Sequence, residues 1–544
     1  MRRIFILIII LVPTIFLSSS KRDEDYFEIS KNLRIVGSVY EKINNYYVDE
    51  VKPGELMKKG IDAMLQSLDP FSVYISEAQI EDFRFTTTGE YGGIGAIIKK
   101  SKEHVIITEL YENSPAFNAG LKPGDQIIEI DNQSLNKASI KDVSNFLKGP
   151  SESIIELKVL RNSVIKSIKV TRKEIKLPSV PIQKKINSNT GYIKLTSFTQ
   201  TAASETKQAL LELKKNNVTN LILDLRSNGG GLLNEAVKIV NFFTPKGQLV
   251  VNTKSRIPEM NRAYYTTINP IDTNLNIVVL IDENSASASE IVAGSLQDLD
   301  KAVILGTNSY GKGLVQQTKE LSFGSQIKLT VAKYYTPSGR CIQKIDYSKK
   351  SKMGKSEEIA DSLVNTFYTR AGRKVMDARG IEPDCTVTME YYSAITEELL
   401  FNDVIFEYVN KVYAEVDSID LPDRFKINEQ EYNKFKSFAL AKDIAYQTQT
   451  NYHLKELKKV AEKEKYFEEN TKLFNQLDKV FSINVENDLN KFSEEITFFI
   501  ENEIISRYYF QKGRIEASLI KDPYMIEAQN ILAKDSLYSA ILGL

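Results

Sequence analysis

Three serines stand close together in the segment ENSASASEIVAGSLQD, which covers residues 283–298. Ser285, Ser287 and Ser289 alternate with alanine where an apolar strand pattern ends and a helical pattern begins. A serine on such a strand-to-helix turn projects its hydroxyl at the edge of a sheet, where helix N–H groups face developing negative charge. Ser287 and Glu290 also fit a capping box, which only starts a helix. Both interpretations use the same geometry, so a partner group must decide between them.

A serine nucleophile needs a base for its proton, and the usual base is histidine. The chain has two histidines, and neither His104 nor His453 lies beside a motif of the α/β region. The remaining common base is a lysine that burial makes easier to deprotonate. Lys312 stands between two glycines in TNSYGKGLVQQ, and such glycines permit close approach to other backbone. The simpler alternative is an exposed lysine in a turn.

Two glycine-rich turns suggest anion binding. The segment from Gly306 to Lys312 matches the first seven positions of a phosphate-binding loop, G-x-x-x-x-G-K. Gly313 then stands where that loop needs Ser or Thr, and LVQQTKEL reads as a strand rather than a helix, which argues against nucleotide binding. The other turn, in LILDLRSNGGGLLNEAV, joins an apolar strand to an amphipathic helix. In combination with Ser287, the backbone N–H groups of this turn would form an oxyanion hole.

Composition bounds the class of protein. A chain of 544 residues with 42% hydrophobic residues is long and apolar enough to form several domains, each with its own hydrophobic core. Lys plus Arg and Asp plus Glu both number 71, so no global charge favours nucleic acid. The two cysteines, Cys341 and Cys385, exclude a disulfide framework and a cysteine-rich zinc site. Residues 1–20 combine two arginines, an apolar run and small residues, which indicates a signal peptide or, alternatively, an uncleaved N-terminal anchor.

Four regions follow that segment. Residues 21–88 have helical apolar spacing, with LDPFSVYIS read as a loop between helices, and residues 89–173 form a β-rich module. Residues 174–388 alternate strands and helices, which predicts a layered α/β core. Residues 389–544 form a helical extension whose role in assembly, regulation or partner docking stays open.

A series of motifs runs through the first three of these regions: LDPFSVYIS (68–76), YGGIG (91–95), SPAFNAGLKPGDQIIEID (114–131), DLRSNGGG (224–231), SASASE (285–290), GKGLVQQ (311–317), YYTPSGR (334–340) and GIEPD (380–384). On these motifs the sequence resembles the carboxy-terminal processing peptidases, or tail-specific proteases, which are Ser/Lys endopeptidases. The resemblance implies an α/β fold, with a crotonase/ClpP-like layered protease core, a PDZ domain and helical N- and C-terminal regions.

The resemblance also implies roles for residues. In the family the nucleophile is the serine 25 residues before the lysine of the Gly-Lys-Gly turn, and 312 − 25 gives Ser287. Lys312 would be the general base, and Gln316 would orient it from the same side of the strand after the turn. No metal and no organic cofactor is implied. The implied oxyanion donors are backbone N–H groups of Ala288 and of Gly230 or Gly231.

The β-rich module resembles a PDZ domain, with a carboxylate-binding loop made by Gly93, Ile94, Gly95 and Ala96. Such a loop presents backbone N–H groups to a free C-terminus while the peptide adds a strand to a sheet edge. We expect the peptide groove between the strand after Gly95 and the helix SIKDVSNFLKG. The alternative is that these glycines only make a tight turn.

Together, these features predict an exported serine endopeptidase of the periplasm or cell envelope, either soluble or held by its N-terminal segment. Its partners would be protein or peptide substrates with free C-terminal tails, and not nucleic acid. The alternative is a catalytically silent PDZ scaffold that only binds peptides. Whether the chain forms a homo-oligomer, and which tail sequence it prefers, stay open.

Overall fold

The computed structural model describes residues 26–101, 104–135, 138–350, 356–388, 391–412 and 416–544. The signal peptide or anchor predicted for residues 1–20 lies outside these ranges. Within them, no helix is long and apolar enough to cross a membrane. The described residues divide into two compact units, one within Met1–Ile80 and Gln316–Thr330, and the other within Glu81–Val315 and Val331–Leu544.

The N-terminal part of the first unit contains α1 (residues 26–46), α2 (Pro53–Gln66) and the short strand β1 (Val73–Ile75). Strand β1 lies within LDPFSVYIS, so the prediction of a loop is wrong for residues 73–75, whereas the rest of the segment is irregular. It pairs antiparallel with β18 (Gln326–Tyr335), with Val73 opposite Lys328. The β-branched and aromatic residues of β1 favour a strand, but its partner lies far along the chain and leaves no local signal.

The second unit begins with α3 (Ile80–Thr88), β2 (Glu90–Gly93) and the β-rich module. Strand β2 pairs antiparallel with β9 (Lys173–Lys176), which closes the module. The largest sheet of the module has the order β3-β4-β5-β7-β8, with β6 beside β5. Its elements are β3 (Ala96–Ser101), β4 (His104–Leu110), α4 (Pro115–Asn118), β5 (Gln126–Ile130), β6 (Gln133–Ser134), α5 (Ile140–Leu147), β7 (Ile154–Arg161) and β8 (Val164–Thr171).

The α/β region is built on a six-stranded sheet of order β10-β11-β12-β15-β16-β23, parallel except for β10. In the strand NIVVLI every residue after Asn276 is buried, as expected for a parallel sheet covered on both faces. Its elements are β10 (Ile182–Lys185), β11 (Thr190–Lys194), α6 (Ala202–Lys215), β12 (Asn220–Asp224), α7 (Leu233–Asn241), β15 (Asn276–Ile281), α8 (Ala288–Asp298), β16 (Ala302–Gly306) and β23 (Cys385–Thr386).

Shorter strands surround this sheet. Strands β13 (Leu249–Lys254) and β14 (Arg262–Tyr265) pair with each other, and β13 also pairs with the end of β18. The chain passes between the two units within β17 (Leu314–Glu320) and β18. The remaining strands form two hairpins: β19 (Ile345–Lys350) with β20 (Ser356–Glu358), and β21 (Thr366–Tyr368) with β22 (Lys374–Met376).

The C-terminal region is helical, as its spacing predicts. Its helices are α9 (Ala394–Phe401), α10 (Val404–Val412), α11 (Glu429–Leu440), α12 (Gln449–Lys463), α13 (Thr471–Val480), α14 (Val485–Lys491), α15 (Ser493–Ser518), α16 (Pro523–Leu532) and α17 (Asp535–Leu542). Helices α6, α7 and α8 cover one face of the parallel sheet. Helices α16 and α17 cover the other face, where Met525 and Ala528 are buried with Val278 and Leu280. The last two helices therefore complete the core of the α/β region.

Candidate active site

The predicted nucleophile lies on a strained turn. Strand β15 ends at Ile281, helix α8 begins at Ala288, and Ser287 lies between them as the residue that precedes the helix. Ser287 has φ 56° and ψ −110°, a backbone conformation that costs a non-glycine residue roughly 1–3 kcal/mol. The surrounding structure must hold this strain, which is typical of residues that must present a side chain in one direction.

The two neighbouring serines have structural partners. The Ser285 hydroxyl donates to the carbonyl oxygen of Leu225 at 2.9 Å, and the Ser289 hydroxyl donates to that of Asn228 at 2.8 Å. Both side chains are fully buried. They attach the serine turn to the glycine-rich turn that follows β12, and they leave Ser287 as the only partly exposed serine of the three.

The glycine-rich turn lies directly against Ser287. A Cβ atom placed on Gly230 would lie 2.9 Å from Ser287 Cβ and 2.9 Å from the Ala288 nitrogen. A Cβ on Gly231 would lie 2.4 Å from the carbonyl oxygen of Phe198. Both glycines also have positive φ, 97° and 146°. No larger side chain fits at either position, so the close approach of the two turns depends on these glycines.

The N–H groups of the two turns differ in their partners. The Gly230 N–H donates to Asn228 Oδ1 at 2.9 Å, and the Asn228 carbonyl accepts from the Ala286 N–H at 3.0 Å. Among the described residues, neither the Gly231 N–H nor the Ala288 N–H has a hydrogen-bond acceptor. Both N–H groups can therefore donate a hydrogen bond to an oxyanion, as an oxyanion hole requires.

Glu290 joins the serine turn to the lysine loop. Its side chain is 1% exposed, and its Oε2 accepts from the Ser287 N–H at 2.7 Å and from the Lys312 N–H at 3.0 Å. Its Oε1 accepts from the Ser309 hydroxyl at 2.6 Å and from the Gly311 N–H at 2.7 Å. Burial raises the pKa of Glu290, and these hydrogen bonds oppose that shift. One carboxylate thus fixes the backbone of both predicted catalytic residues.

Tyr334 makes a second link between the same residues. Its hydroxyl lies 2.6 Å from the carbonyl oxygen of Lys312 and 3.1 Å from that of Ser287, and it donates to them. Burial raises the pKa of Tyr334 well above its ordinary value, so the hydroxyl keeps its proton. Tyr334 belongs to the YYTPSGR motif, but no residue spacing in the sequence indicates this contact.

Lys312 lies in the loop between β16 and β17, two residues before the strand, and is partly buried. The expectation that Lys312 and Gln316 share one strand was therefore wrong, because β17 begins only at Leu314. Gln316 belongs to the first unit, where its side-chain amide donates to Thr330 Oγ1 at 3.2 Å. A strand rather than a helix follows the loop, as the argument against a phosphate-binding loop requires.

A buried ionic cluster anchors the glycine-rich turn at its start. Asp224, the last residue of β12, binds Arg226 through both carboxylate oxygens and also pairs with Lys194 Nζ at 3.1 Å. Tyr192 donates its hydroxyl to Asp224 at 2.8 Å. Burial alone would raise the pKa of Asp224, but the two cations outweigh burial and hold the pKa well below its usual range.

Replacing Asp224 with asparagine is expected to lower the free energy of unfolding by about 3–5 kcal/mol, because two cations would lose a fully buried carboxylate. The folded pKa lies below the unfolded value of about 4. The carboxylate therefore stabilises the fold above that pH, and this stabilisation is lost as pH falls through the folded pKa. Denaturant unfolding should show the largest difference between wild type and Asp224→Asn near neutral pH and a smaller one below about pH 4.

The predicted carboxylate loop of the β-rich module lies at the end of a groove. The loop residues Gly93–Ala96 join β2 to β3, and a Cβ atom on Gly95, which has φ 74°, would lie 2.5 Å from Ser114 Cβ. A cavity of about 270 Å³ extends from the loop between β3 and α5; its lining includes Tyr91, Ile94–Ile98, Ser144, Leu147 and Lys148. Strand β3 is an edge strand of its sheet, so a peptide can add beside it.

No group of three or more His, Cys, Asp or Glu residues that could hold a metal ion occurs in the described ranges.

Four known domain families match segments of this chain. The model described as "Peptidase family S41" matches residues 189–350, and "PDZ domain" matches residues 106–161. "Probable PDZ-protease, C-terminal helical domain" matches residues 395–532, and "Activating protease CtpB N-terminal domain" matches residues 16–79. Known domain families thus match segments in all four predicted regions.

Similar proteins carry related descriptions. The "Probable CtpA-like serine protease" of Staphylococcus epidermidis is 34% identical over 62% of this chain and 68% of its own length. A relative of the same description from Staphylococcus aureus is 34% identical over 57% of this chain and 62% of its own length, which is less than two thirds. The solved "Photosystem II D1 C-terminal processing protease" is 25% identical, with a TM-score of 0.35, over 64% of this chain and 91% of that one.

The chain belongs to peptidase family S41, a family of serine peptidases. The relatives named above are described as CtpA-like serine proteases, and the resemblance to the carboxy-terminal processing peptidases is confirmed. The prediction of an α/β protease core combined with a PDZ domain is confirmed as well.

Proposed function

We propose that this chain is an exported endopeptidase. Its PDZ domain captures the free C-terminal tail of a substrate protein, and Ser287 is the nucleophile that cleaves that substrate. The observation that carries the proposal is the shared anchoring of Ser287 and Lys312 by Glu290 and Tyr334. Two loops from different parts of the chain are fixed to one carboxylate and one hydroxyl, which is the rigid support that a catalytic pair needs.

In the proposed reaction, the neutral amine of Lys312 takes the proton of Ser287 Oγ, and Oγ attacks the carbonyl carbon of the scissile peptide bond. The N–H groups of Ala288 and Gly231 donate to the oxyanion of the tetrahedral intermediate. The intermediate collapses when the C–N bond breaks, and the ammonium of Lys312 gives its proton to the leaving amine. Water then attacks the acyl ester while Lys312 again acts as base, which releases Ser287.

The structure favours Gly231 over Gly230 as the second donor in this scheme. The Gly230 N–H is already engaged by Asn228 Oδ1, whereas the N–H groups of Gly231 and Ala288 have no acceptor among the described residues. Gly230 instead allows the glycine-rich turn to approach the serine turn closely, because any side chain at that position would collide with Ser287.

Tail capture would use the loop Gly93–Ala96 and the groove behind it. The tail carboxylate would accept from backbone N–H groups of the loop, and the tail would add a strand beside β3. The groove is lined mainly by apolar and aromatic side chains, including Ile94, Ile98 and Leu147, so we propose tails with apolar ends.

Amidation of the substrate's C-terminus is expected to raise KM for an unfolded protein with an apolar tail by roughly tenfold, because the loop loses a charged acceptor. Cleavage rates should be compared for the free-acid and the amidated form of the same substrate. As a control for the loss of charge alone, the free-acid and the amidated form are also compared for a substrate with an added C-terminal aspartate, whose side chain keeps a negative charge after amidation. Equal KM values for the free-acid and amidated apolar tails would contradict tail capture, and binding of the tail without any cleavage would favour a silent scaffold.

We also propose a place for the protein in the periplasm or cell envelope, based on the N-terminal pattern of residues 1–20. Fractionation of cells that produce the full chain, followed by N-terminal sequencing, tests this placement and decides between a cleaved signal and a retained anchor. Sedimentation of the same purified chain measures whether it forms a homo-oligomer.

A further inference from the structure

The C-terminal helical region contacts the glycine-rich turn through one carboxylate. Asp522 is the residue before helix α16, and its Oδ1 accepts from the Tyr524 N–H at 2.9 Å, which starts the helix. Its Oδ2 accepts from Nη2 of Arg226 at 2.6 Å. The Tyr524 ring lies against the same guanidinium, with 4.6 Å from the guanidinium carbon to the ring centroid. Two of the groups around Arg226 therefore come from helix α16 and its cap.

This contact balances the charge of the buried cluster. Asp224 is fully buried and is shared between Arg226 and Lys194, so it neutralises only one of these two cations. Asp522, whose side chain is 13% exposed, supplies the second carboxylate. Without it, the cluster would hold an unbalanced cation, which is costly in a site that excludes most water.

Arg226 is the first residue of the turn that reaches Ser287. Its carbonyl accepts from Lys194 Nζ at 2.9 Å, and the N–H of the next residue, Ser227, donates to the Asp282 carboxylate at 2.9 Å. Three residues further on, the turn presents Gly230 and Gly231 to the nucleophile. A shift of the Arg226 side chain therefore moves one end of a turn whose other end lies at the reacting atoms.

Helix α16 is held firmly enough to act as a support. Tyr524, Met525 and Ala528 are buried against the parallel sheet, in the same cluster as Val278 and Leu280 of strand β15. Strand β15 is the strand that leads into the serine turn. Packing on this sheet fixes the start of α16, and with it the carboxylate of its cap residue.

We infer that Asp522 is a positioning residue for the peptidase reaction: through Arg226 it holds the glycine-rich turn in the register that aims the Gly231 N–H at the oxyanion. The C-terminal helical region thus contributes to transition-state binding without touching the substrate. This inference rests on the proposed function, because it assigns a role in the same reaction.

The test uses two substitutions that keep the helix cap. Asparagine and serine both accept from the N–H groups at a helix start, so Asp522→Asn and Asp522→Ser preserve the cap. Asp522→Asn turns an N–H donor toward Arg226, and Asp522→Ser leaves a gap there. Glu516→Gln is the matched control, because Glu516 pairs the C-terminal region with Lys184 of the same sheet and does not contact Arg226.

Five quantities are measured on the full chain: kcat and KM for an unfolded protein with an apolar tail, the inhibition constant of a peptide boronate, the Kd of a free tail peptide, and the melting temperature. A boronate forms a tetrahedral adduct with the serine and so reports on the oxyanion hole. Both Asp522 variants are expected to lower kcat roughly 10- to 100-fold and to weaken boronate binding by a similar factor. KM, tail binding and all values for Glu516→Gln should stay within about twofold of wild type.

Unchanged kcat and boronate affinity in both Asp522 variants would overturn the inference, and so would equal losses in Glu516→Gln. Unfolding of both variants at the assay temperature would assign the carboxylate to stability instead and would also overturn it. Wild type and Ser287→Ala are measured alongside. If wild type itself fails to cleave, the proposed function fails, whereas cleavage by wild type that is matched by both variants defeats only the role of Asp522.

Discussion

Replacing Ser287 with alanine is expected to lower kcat by roughly 10⁴-fold or more, because no other group of the site can form the acyl-enzyme. Lys312→Met should cause a loss of similar size, since the serine then keeps its proton, and the two losses should not add in the double variant. The assay is cleavage of an unfolded protein with an apolar tail, with and without a free tail peptide.

Ser295→Ala is a suitable control for this prediction. Ser295 is a fully buried serine on helix α8, which the predicted nucleophile precedes, and its hydroxyl donates to the Val250 carbonyl at 2.8 Å, away from the two turns. Its removal should cost about 1 kcal/mol of stability and leave kcat within about twofold of wild type. Activity that survives in Ser287→Ala would contradict the assignment of the nucleophile.

Replacing Glu290 with glutamine is expected to lower kcat by at least about 100-fold and the free energy of unfolding by about 2–4 kcal/mol. Each carboxylate oxygen of Glu290 accepts two hydrogen bonds. An amide NH₂ in place of either oxygen would face two donors, and it would separate the backbone of Ser287 from the loop of Lys312. Steady-state kinetics and denaturant unfolding measure the two effects.

Glu235→Gln is the control that separates the loss of kcat from the loss of stability expected for Glu290→Gln. Glu235 is another carboxylate of the same unit, 4% exposed, and it accepts from the Ala203 N–H at 2.9 Å and from Lys238 Nζ at 2.6 Å. Its amide variant should lose stability but keep kcat. If Glu290→Gln loses stability and retains full kcat, Glu290 only supports the fold and the proposed link between the two turns is wrong.

Local patterns predicted much of the α/β region, because apolar periodicity and turn residues act within one segment. The apolar strand pattern and the helical pattern that meet at the three serines correspond to strand β15 and to helix α8, which begins at Ala288. Elements whose partners lie far along the chain were harder to predict. Strand β1 needs β18, and nothing near residue 73 reports that pairing.

The candidate site shows the same division. The capping-box pattern of Ser287 and Glu290 was visible in the sequence, but the reach of Glu290 to Gly311 and Lys312 depends on tertiary folding. The contact of Asp522 with Arg226 joins residues that are 296 positions apart in the sequence. Neither residue has a spacing that would reveal the other, so only the structure brings them together.

The central claim is that Ser287, supported by Lys312 and by the N–H groups of Ala288 and Gly231, performs acyl transfer. The most direct measurement is a crystal structure of the full chain with a peptide boronate and a free apolar tail peptide. We predict a bond from boron to Ser287 Oγ and a boronate oxygen about 2.7–3.1 Å from the Ala288 and Gly231 nitrogens. Boron bonded to another residue, or a boronate oxygen that points away from both nitrogens, would contradict this mechanism.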